Sequence, residues 1–252
     1  LFLHTDVLII LNFEIQSKKV LCLAKQMLYP RRCVFCDDIV VPYGKLICST
    51  CEKKIPYLTD PLCMKCGKQL DTDALFCFDC LKQSHFFDRG YALYSYHFVA
   101  ESLYRFKYGG RAEYGTFFGQ EIAKHYKTTI LDMKAEAIIP VPLHPTRERK
   151  RGYNQAELIA KEMGRELSIP VYSDLVKRRK KTIPQKELDQ EARQNNLKKA
   201  FIITENVVKL RSIIIIDDIY TTGSTVNAIA EVLKDVGVER IHFFAIAIGK
   251  SI

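Results

Sequence analysis

The chain has 252 residues, 48% of them hydrophobic, and a formal charge of +9. That length and composition suit one ordinary domain with a substantial core plus a small one, and no apolar run reaches the roughly 18 residues that a membrane span needs. The positive surplus favours anionic partners such as phosphates or nucleic acid.

The start, Leu1 to Phe13, is apolar but lacks a basic leader region and a small-residue cleavage site. No signal peptide is expected, and the cytoplasm is the expected location. Residues 1–17 are expected to contribute little. Residues 18–29 predict a short amphipathic helix stopped by Pro30. Cys22 within it has no partner at metal spacing and reads as a packing residue.

Four Cys-x-x-Cys pairs follow: Cys33/Cys36, Cys48/Cys51, Cys63/Cys66 and Cys77/Cys80. Each pair sits on a tight knuckle from which two thiolates can reach one tetrahedral ion at about 2.3 Å. The intervening segments of 11, 11 and 10 residues are the size of small hairpins. Disulfides are the alternative, but the missing secretory signal and the regular spacing favour structural zinc, one or two ions. Sequential ribbons would group Cys33/36/48/51 and Cys63/66/77/80; a cross-brace would pair the first with the third. The sequential grouping is expected because each hairpin closes locally. So short a segment buries little core, so the metal must supply most of its folding free energy. Two bound ions would lower the charge to about +5.

From Phe86 the composition turns aromatic. Arg89 to His97 predicts a strand, Val99 to Phe106 a helix, and Lys107 to Arg111 a turn with two cations. A helix over Tyr114 to Tyr126 places Phe117, Phe118, Ile122 and Ala123 on one face, as core. Ala137 to Val141 reads as a buried strand and Pro142 to Gln155 as a loop. Asn154 then caps a helix with Ala156, Ile159, Ala160, Met163 and Leu167 on one face. Arg147, Arg149, Lys150 and Arg151 bring cations to the carboxyl edge of the sheet, where ligands of open α/β sheets bind. Leu143, His144, Arg147 and Arg151 are the candidates for a diphosphate clamp.

Leu175 to Arg179 predicts a strand end, followed by a polar loop to Asn195. Its cations Lys177, Arg178, Arg179, Lys180 and Lys181, with Thr182, Gln185 and Arg193, suit a mobile lid closing on a diphosphate. An exposed nucleic-acid patch fits that run as well. Ala200 to Ile203 is a short strand and Arg240 to Gly249 the last one, so strands alternating with helices predict a parallel α/β sheet.

The stretch Ile213-Ile-Ile-Ile-Asp-Asp-Ile-Tyr-Thr-Thr-Gly-Ser-Thr225 carries the densest chemistry. Four β-branched residues without alternation predict a strand buried on both faces. Asp217 and Asp218 fall at its carboxyl end, and Val226, Ile229, Ala230, Leu233 and Val236 predict a helix from about Ser224. The turn between them is an anion site: unpaired N–H groups, the helix dipole and the hydroxyls of Thr221, Thr222, Ser224 and Thr225 all favour a phosphate. Gly223 lets the backbone come close. The acids can accept from sugar hydroxyls or hold Mg²⁺ through water. An ordinary βα turn with a helix cap is the plainer reading.

That thirteen-residue string resembles the phosphoribosyl-diphosphate (PRPP) motif of type I phosphoribosyltransferases. The resemblance assigns the ribose hydroxyls to Asp217 and Asp218 and the 5′-phosphate to Thr221 through Thr225. Over residues 28–249 the chain resembles the ComF family. This rests on Pro30-Arg-Arg-Cys33, Ile139-Pro-Val-Pro-Leu-His144, Arg151-Gly-Tyr-Asn-Gln155, Thr182, Gln185, and Arg193 to Phe201; Tyr153 stands where the family often has Phe. The resemblance implies an N-terminal zinc ribbon and a type I phosphoribosyltransferase fold. The expected domains are an extension with a short helix at 1–29, of which 1–17 lies outside the resemblance, a double zinc ribbon at 30–84 and a phosphoribosyltransferase-like domain at 85–252. It also implies a role in DNA uptake during natural transformation, with uptake or recombination proteins as possible partners. Bound PRPP with Mg²⁺ and single-stranded DNA are expected. No catalytic residue or acceptor is assigned.

Overall fold

The parallel core follows directly from the apolar runs. In the computed structural model, which describes residues 30–41, 44–178, 200–204 and 210–249, four strands form one sheet: β1 (Arg89–Ser95), β2 (Ala137–Pro140), β5 (Ser212–Tyr220) and β6 (Arg240–Ile248). Their order is β1-β6-β5-β2, all parallel. Ile213 to Ile216 are fully buried, as a central strand covered on both faces requires. A parallel bridge from Ile138 to Val171 extends the β2 edge.

Helices α3 (Tyr96–Tyr108), α4 (Tyr114–His125), α5 (Lys127–Asp132), α7 (Gln155–Leu167) and α8 (Ser224–Asp235) connect and cover these strands. Phe117, Phe118, Ile122 and Ala123 are buried on α4, as expected. Helices α4 and α7 pack closely because Gly115 and Gly119 lie one turn apart; a Cβ on Gly119 would meet Ile159 O at 2.8 Å. Asn154 caps α7 by accepting from Ala156 N–H at 3.1 Å.

Three expectations are corrected. The segment read as a loop after β2 contains a helix, α6 (Pro145–Arg151). His144 caps it, Pro145 sits in its first turn, its basic residues fill the last turn, and Gly152 ends it with φ of 81°. Lys107 lies in the last turn of α3 rather than in a turn beyond it. The strands β3 (Val176–Arg178) and β4 (Phe201–Ile203) do not join the parallel sheet. They pair with each other, antiparallel, as a separate two-stranded sheet, so Lys177 and Arg178 are strand residues. The helix expected at 18–29, Cys22, and the lid residues Arg179, Lys180, Lys181, Thr182, Gln185 and Arg193 lie outside the described residues.

The chain divides into two units, Leu1–Ile55 and Pro56–Ile252. In the first, Cys33 N–H donates to Asp38 O and Val34 N–H to Leu46 O, and the short helix α1 (Ser49–Glu52) follows its N-cap Cys48. The second unit repeats the pattern: Cys63 N–H donates to Lys68 O, Met64 N–H to Leu75 O, and α2 (Phe78–Lys82) follows its N-cap Cys77. This second ribbon is built onto the sheet. Leu58 N–H donates to Leu93 O, and Gly90 N–H donates to Lys65 O at 2.8 Å. Gly67, at φ of 78°, lies so near β1 that a Cβ would meet Gly90 O at 2.7 Å.

Candidate functional site

The carboxyl edge of the sheet gathers most of the described candidates. Strand β5 runs through both acids to Tyr220, so Asp217 and Asp218 point to opposite faces. Asp218 N–H donates to Asp217 Oδ1 at 2.8 Å. The Asp218 carboxylate is paired with Lys107 at 2.9 Å, both side chains mostly buried. Burial, and next the Asp218 charge, push the Asp217 carboxyl from 3.8 up to about 8. Arg178 of β3 is lowered by burial first and by Arg147 second, with Asp217 pulling the other way. The two guanidinium groups and Asp217 thus share one electrostatic neighbourhood, although they come from α6, β3 and β5.

After β5 the chain turns at Gly223, whose φ is 77°, and α8 begins at once. Asn227 N–H donates to Gly223 O at 2.8 Å, and the hydroxyls of Thr222 and Ser224 are 2.8 Å apart. Asp217 and Ile219 through Val226 line a small cavity of about 40 Å³. Thr221 and Thr222 are exposed.

The diphosphate-clamp candidates separate into different tasks. His144 Nδ1 accepts from Thr146 N–H at 3.3 Å and caps α6. Arg151 donates to Gln155 Oε1 at 2.9 Å and to the Tyr108 hydroxyl at 3.3 Å. Tyr153 and Gln155 both donate to Phe106 O, and Asn154 Nδ2 donates to Val141 O at 3.0 Å. Residues 151–155 therefore tie the end of α3 to the end of β2, which sets where Lys107 meets Asp218. Leu143 is half-buried, and Arg147 is exposed on α6.

Against the Thr221–Thr225 turn lies the cysteine group Cys63/66/77/80. Tyr220 stacks on Phe243 with centroids 4.6 Å apart, and its hydroxyl sits against Gly223. Burial raises its phenol above the usual value, and the thiols of Cys66, Cys80, Cys77 and Cys63 raise it further. Alongside, His85 lies 3.5 Å from Cys80 Sγ through Nε2 and stacks on Phe87, while Phe86 N–H donates to Asn227 Oδ1 at 2.7 Å. A packed path thus runs from the cysteines to the first turns of α8.

The cysteines form two groups, Cys33/36/48/51 and Cys63/66/77/80, with all Sγ atoms within 4.8 Å of one another in each. The sequential grouping is the one found. Cys36 and Cys48 sulfurs are 3.8 Å apart, and those of Cys66 and Cys77 are 3.6 Å. A tetrahedron with Zn–S of about 2.3 Å has an edge of about 3.8 Å, so both groups fit zinc. Backbone N–H groups of Cys48, Cys51 and Cys77 point at sulfurs at 3.3–3.5 Å. The Cys51 N–H, above all, lowers the Cys48 thiol to about 7, whereas burial raises Cys51 to about 11. Metal analysis of the purified chain is expected to find two zinc equivalents; one or fewer would overturn the double site.

Residues 24–81 match the double zinc ribbon domain family, and residues 153–251 match the phosphoribosyl transferase domain family. Competence protein F of Haemophilus influenzae is 34% identical over 226 residues, covering 86% of this chain and 96% of that protein. The chain belongs to the ComF family. Competence protein ComFC of Bacillus subtilis is 29% identical, covering 76% of this chain and 79% of its own length. DNA utilization protein YhgH of Escherichia coli is 31% identical, with 79% and 89% covered. The fold class expected from the sequence is thus the one found: a phosphoribosyltransferase-type parallel sheet with a cysteine-rich ribbon region of the zinc-binding kind. Among the described residues no helix is long and apolar enough to cross a membrane.

For this ComF-family chain, sequence reasoning missed Lys107, Tyr220 and Asn227. Lys107 had a signal, a cation at the end of an amphipathic helix, but its partner lies 111 positions away. Tyr220 occupies a variable position of the PRPP motif, and its role depends on the ribbon packed below it.

Proposed function

We propose that this protein binds Mg²⁺-PRPP at 217–225 and single-stranded DNA, and acts in DNA uptake during natural transformation. The observation that carries the reading is the β5–loop–α8 unit, in which Asp217 and a hydroxyl-rich helix N-terminus line one small cavity, with Asp218 next to Asp217 on β5. Asp217 and Asp218 would accept from the ribose hydroxyls. The amides and hydroxyls of Thr221 through Thr225 would hold the 5′-phosphate. Arg147 and Arg178 supply the positive charge that a diphosphate needs. Two adjacent carboxylates with one ammonium partner also suit a divalent cation, held through water; that ion would neutralise the diphosphate. The relatives named for competence and DNA utilization support the cellular role.

Titration calorimetry with PRPP, with and without Mg²⁺, tests the reading; no saturable heat under either condition would sink it. The raised Asp217 carboxyl adds a pH signature. Its folded pKa of about 8 lies above the ordinary 3.8, so the stability it contributes is full below about pH 4 and is lost as pH rises through 8. A ligand that hydrogen-bonds the carboxylate favours the ionised form. Binding at pH 7 is then expected to release about 0.9 proton, and affinity should rise up to about pH 8. Calorimetry in buffers of different ionisation heat measures this, and Asp217→Asn should abolish the release.

A second reading, transfer of the ribosyl group to an acceptor, draws on the same Arg147 and Arg178, whose charges would stabilise a departing diphosphate. Diphosphate release with candidate acceptors checks it.

A further inference from the structure

Helix α3 buries Val99, Ser102, Leu103 and Phe106 against the sheet. Its opposite side holds Tyr104 and Tyr108 in water, 66% and 57% exposed. These positions are four apart, one turn of the helix and roughly 6 Å at 1.5 Å per residue. The rings of Tyr104 and Tyr108 are 5.2 Å apart, tilted by 52°. Arg151 continues the row: its guanidinium carbon is 5.1 Å from the Tyr108 centroid, and Gln155 fixes its far side. Scattered exposed aromatics are ordinary, but two neighbouring rings extended by a planar cation form a continuous π-faced surface.

The charge on the α6 side of this row is positive, while on α3 itself the exposed Glu101 is paired with Arg105 at 3.5 Å. Helix α6 carries Arg147, Arg149, Lys150 and Arg151 against the single acid Glu148, and all but Arg151 are exposed. The row also meets the ribose-type site, because Lys107, next to Tyr108, reaches Asp218 at 2.9 Å. Stacking surfaces flanked by backbone-tracking cations suit unpaired bases. Duplex bases stack on one another and present no free face.

We infer that Tyr104, Tyr108 and Arg151 form a base-stacking platform for single-stranded nucleic acid, with α6 following its phosphates. This rests on the nucleic-acid part of the function proposed above. The platform lies in the phosphoribosyltransferase-type unit, on a helix end that also holds Asp218, so an occupied strand and an occupied ribose site share residues 107–108.

The test uses the full zinc-loaded chain and a fluorescein-labelled oligothymidylate followed by anisotropy. Tyr104→Ala/Tyr108→Ala should weaken binding at least about fivefold per ring, with the slope of log affinity against log salt unchanged. Arg149→Ala/Lys150→Ala should instead flatten that slope by about 1.4. Tyr104→Phe should keep the affinity, since stacking needs the ring and not the hydroxyl; Tyr108 is left intact in that variant because its hydroxyl accepts from Arg151. The chain has no tryptophan, so Tyr104→Trp provides a unique reporter, expected to be quenched by the oligonucleotide. Wild-type affinity in the double Ala variant, or unquenched indole fluorescence from a Tyr104→Trp protein that binds, overturns the platform alone. If the wild-type chain does not bind the oligonucleotide, the platform and the DNA part of the proposed function fall together, while PRPP binding stands separately.

Discussion

Gly223→Ala is expected to weaken PRPP binding at least 100-fold and to lower the melting temperature by on the order of 10 °C. Two separate effects converge there. The backbone sits at φ of 77°, which an alanine adopts only with strain, and the added Cβ would collide with the Tyr220 hydroxyl. Tyr220 cannot retreat, because its ring is stacked on Phe243 and edges against Phe87. Strain and overpacking together cost roughly 2–4 kcal/mol, and the turn must shift away from the position that presents its N–H groups. Adding Tyr220→Phe removes the closest atom and eases part of the collision, but the ring carbons Cζ and Cε2 stay 2.7 and 2.8 Å from the added Cβ and the φ strain remains. The double variant should therefore recover part of the stability. A Gly223→Ala protein that keeps both wild-type melting and affinity would show that the loop does not hold ligand in this conformation.

Cys66→Ser is expected to lose one zinc equivalent, to lower the melting temperature by more than about 10 °C, and to speed amide exchange over residues 221–227. Cys66 is fully buried in the second cysteine group, and a serine hydroxyl is a far weaker zinc ligand than a thiolate. Without the ion, each sulfur of the group is left to share a few protons with its neighbours. The backbone of this ribbon is bonded to β1 at two points, Leu58 N–H donating to Leu93 O and Lys65 O accepting from Gly90 N–H, and the ribbon abuts Tyr220 and, through His85 and Phe86, Asn227. Loosening the ribbon removes the floor of the loop and a tie to the first turns of α8. Structural zinc contributes folding free energy directly, so a chelator acting on the wild-type chain should reproduce the effect. A variant short of one zinc, yet unchanged in melting and in exchange at 221–227, would contradict the coupling. Exchange reports on the loop whether or not PRPP is its ligand.

Much of the architecture was legible because it depends on local patterns. Four consecutive isoleucines cannot be half-exposed, so β5 had to be central. Asn154 and the apolar row behind it define the start of α7, and the spacing of the cysteine pairs implied two local metal groups. The α6 error has a local cause as well: Arg147 through Arg151 read as a charged loop, although His144-Pro145 and Gly152 are ordinary start and stop signals. The antiparallel β3–β4 pair was not legible, since three-residue strands do not reveal their partners.

The amino-acid sequence by itself determined the fold class, the strand that carries Asp217 and Asp218, the turn at Gly223 and the two cysteine groups. Each depends on residues close together in the chain, where periodicity, φ preference and ligand spacing act directly. The tertiary structure alone decided what surrounds that turn. Lys107 pairs with Asp218 because residues 151–155 tie down the end of α3. Asp217 is raised because packing withdraws it from water next to a second carboxylate. Tyr220 is held by its stack on Phe243 and the edge of Phe87, with a ribbon whose cysteines stand 140 to 157 residues earlier in the chain lying against it. Charge pairing, desolvation and packing depend on distances in space, and the order of residues does not contain those distances.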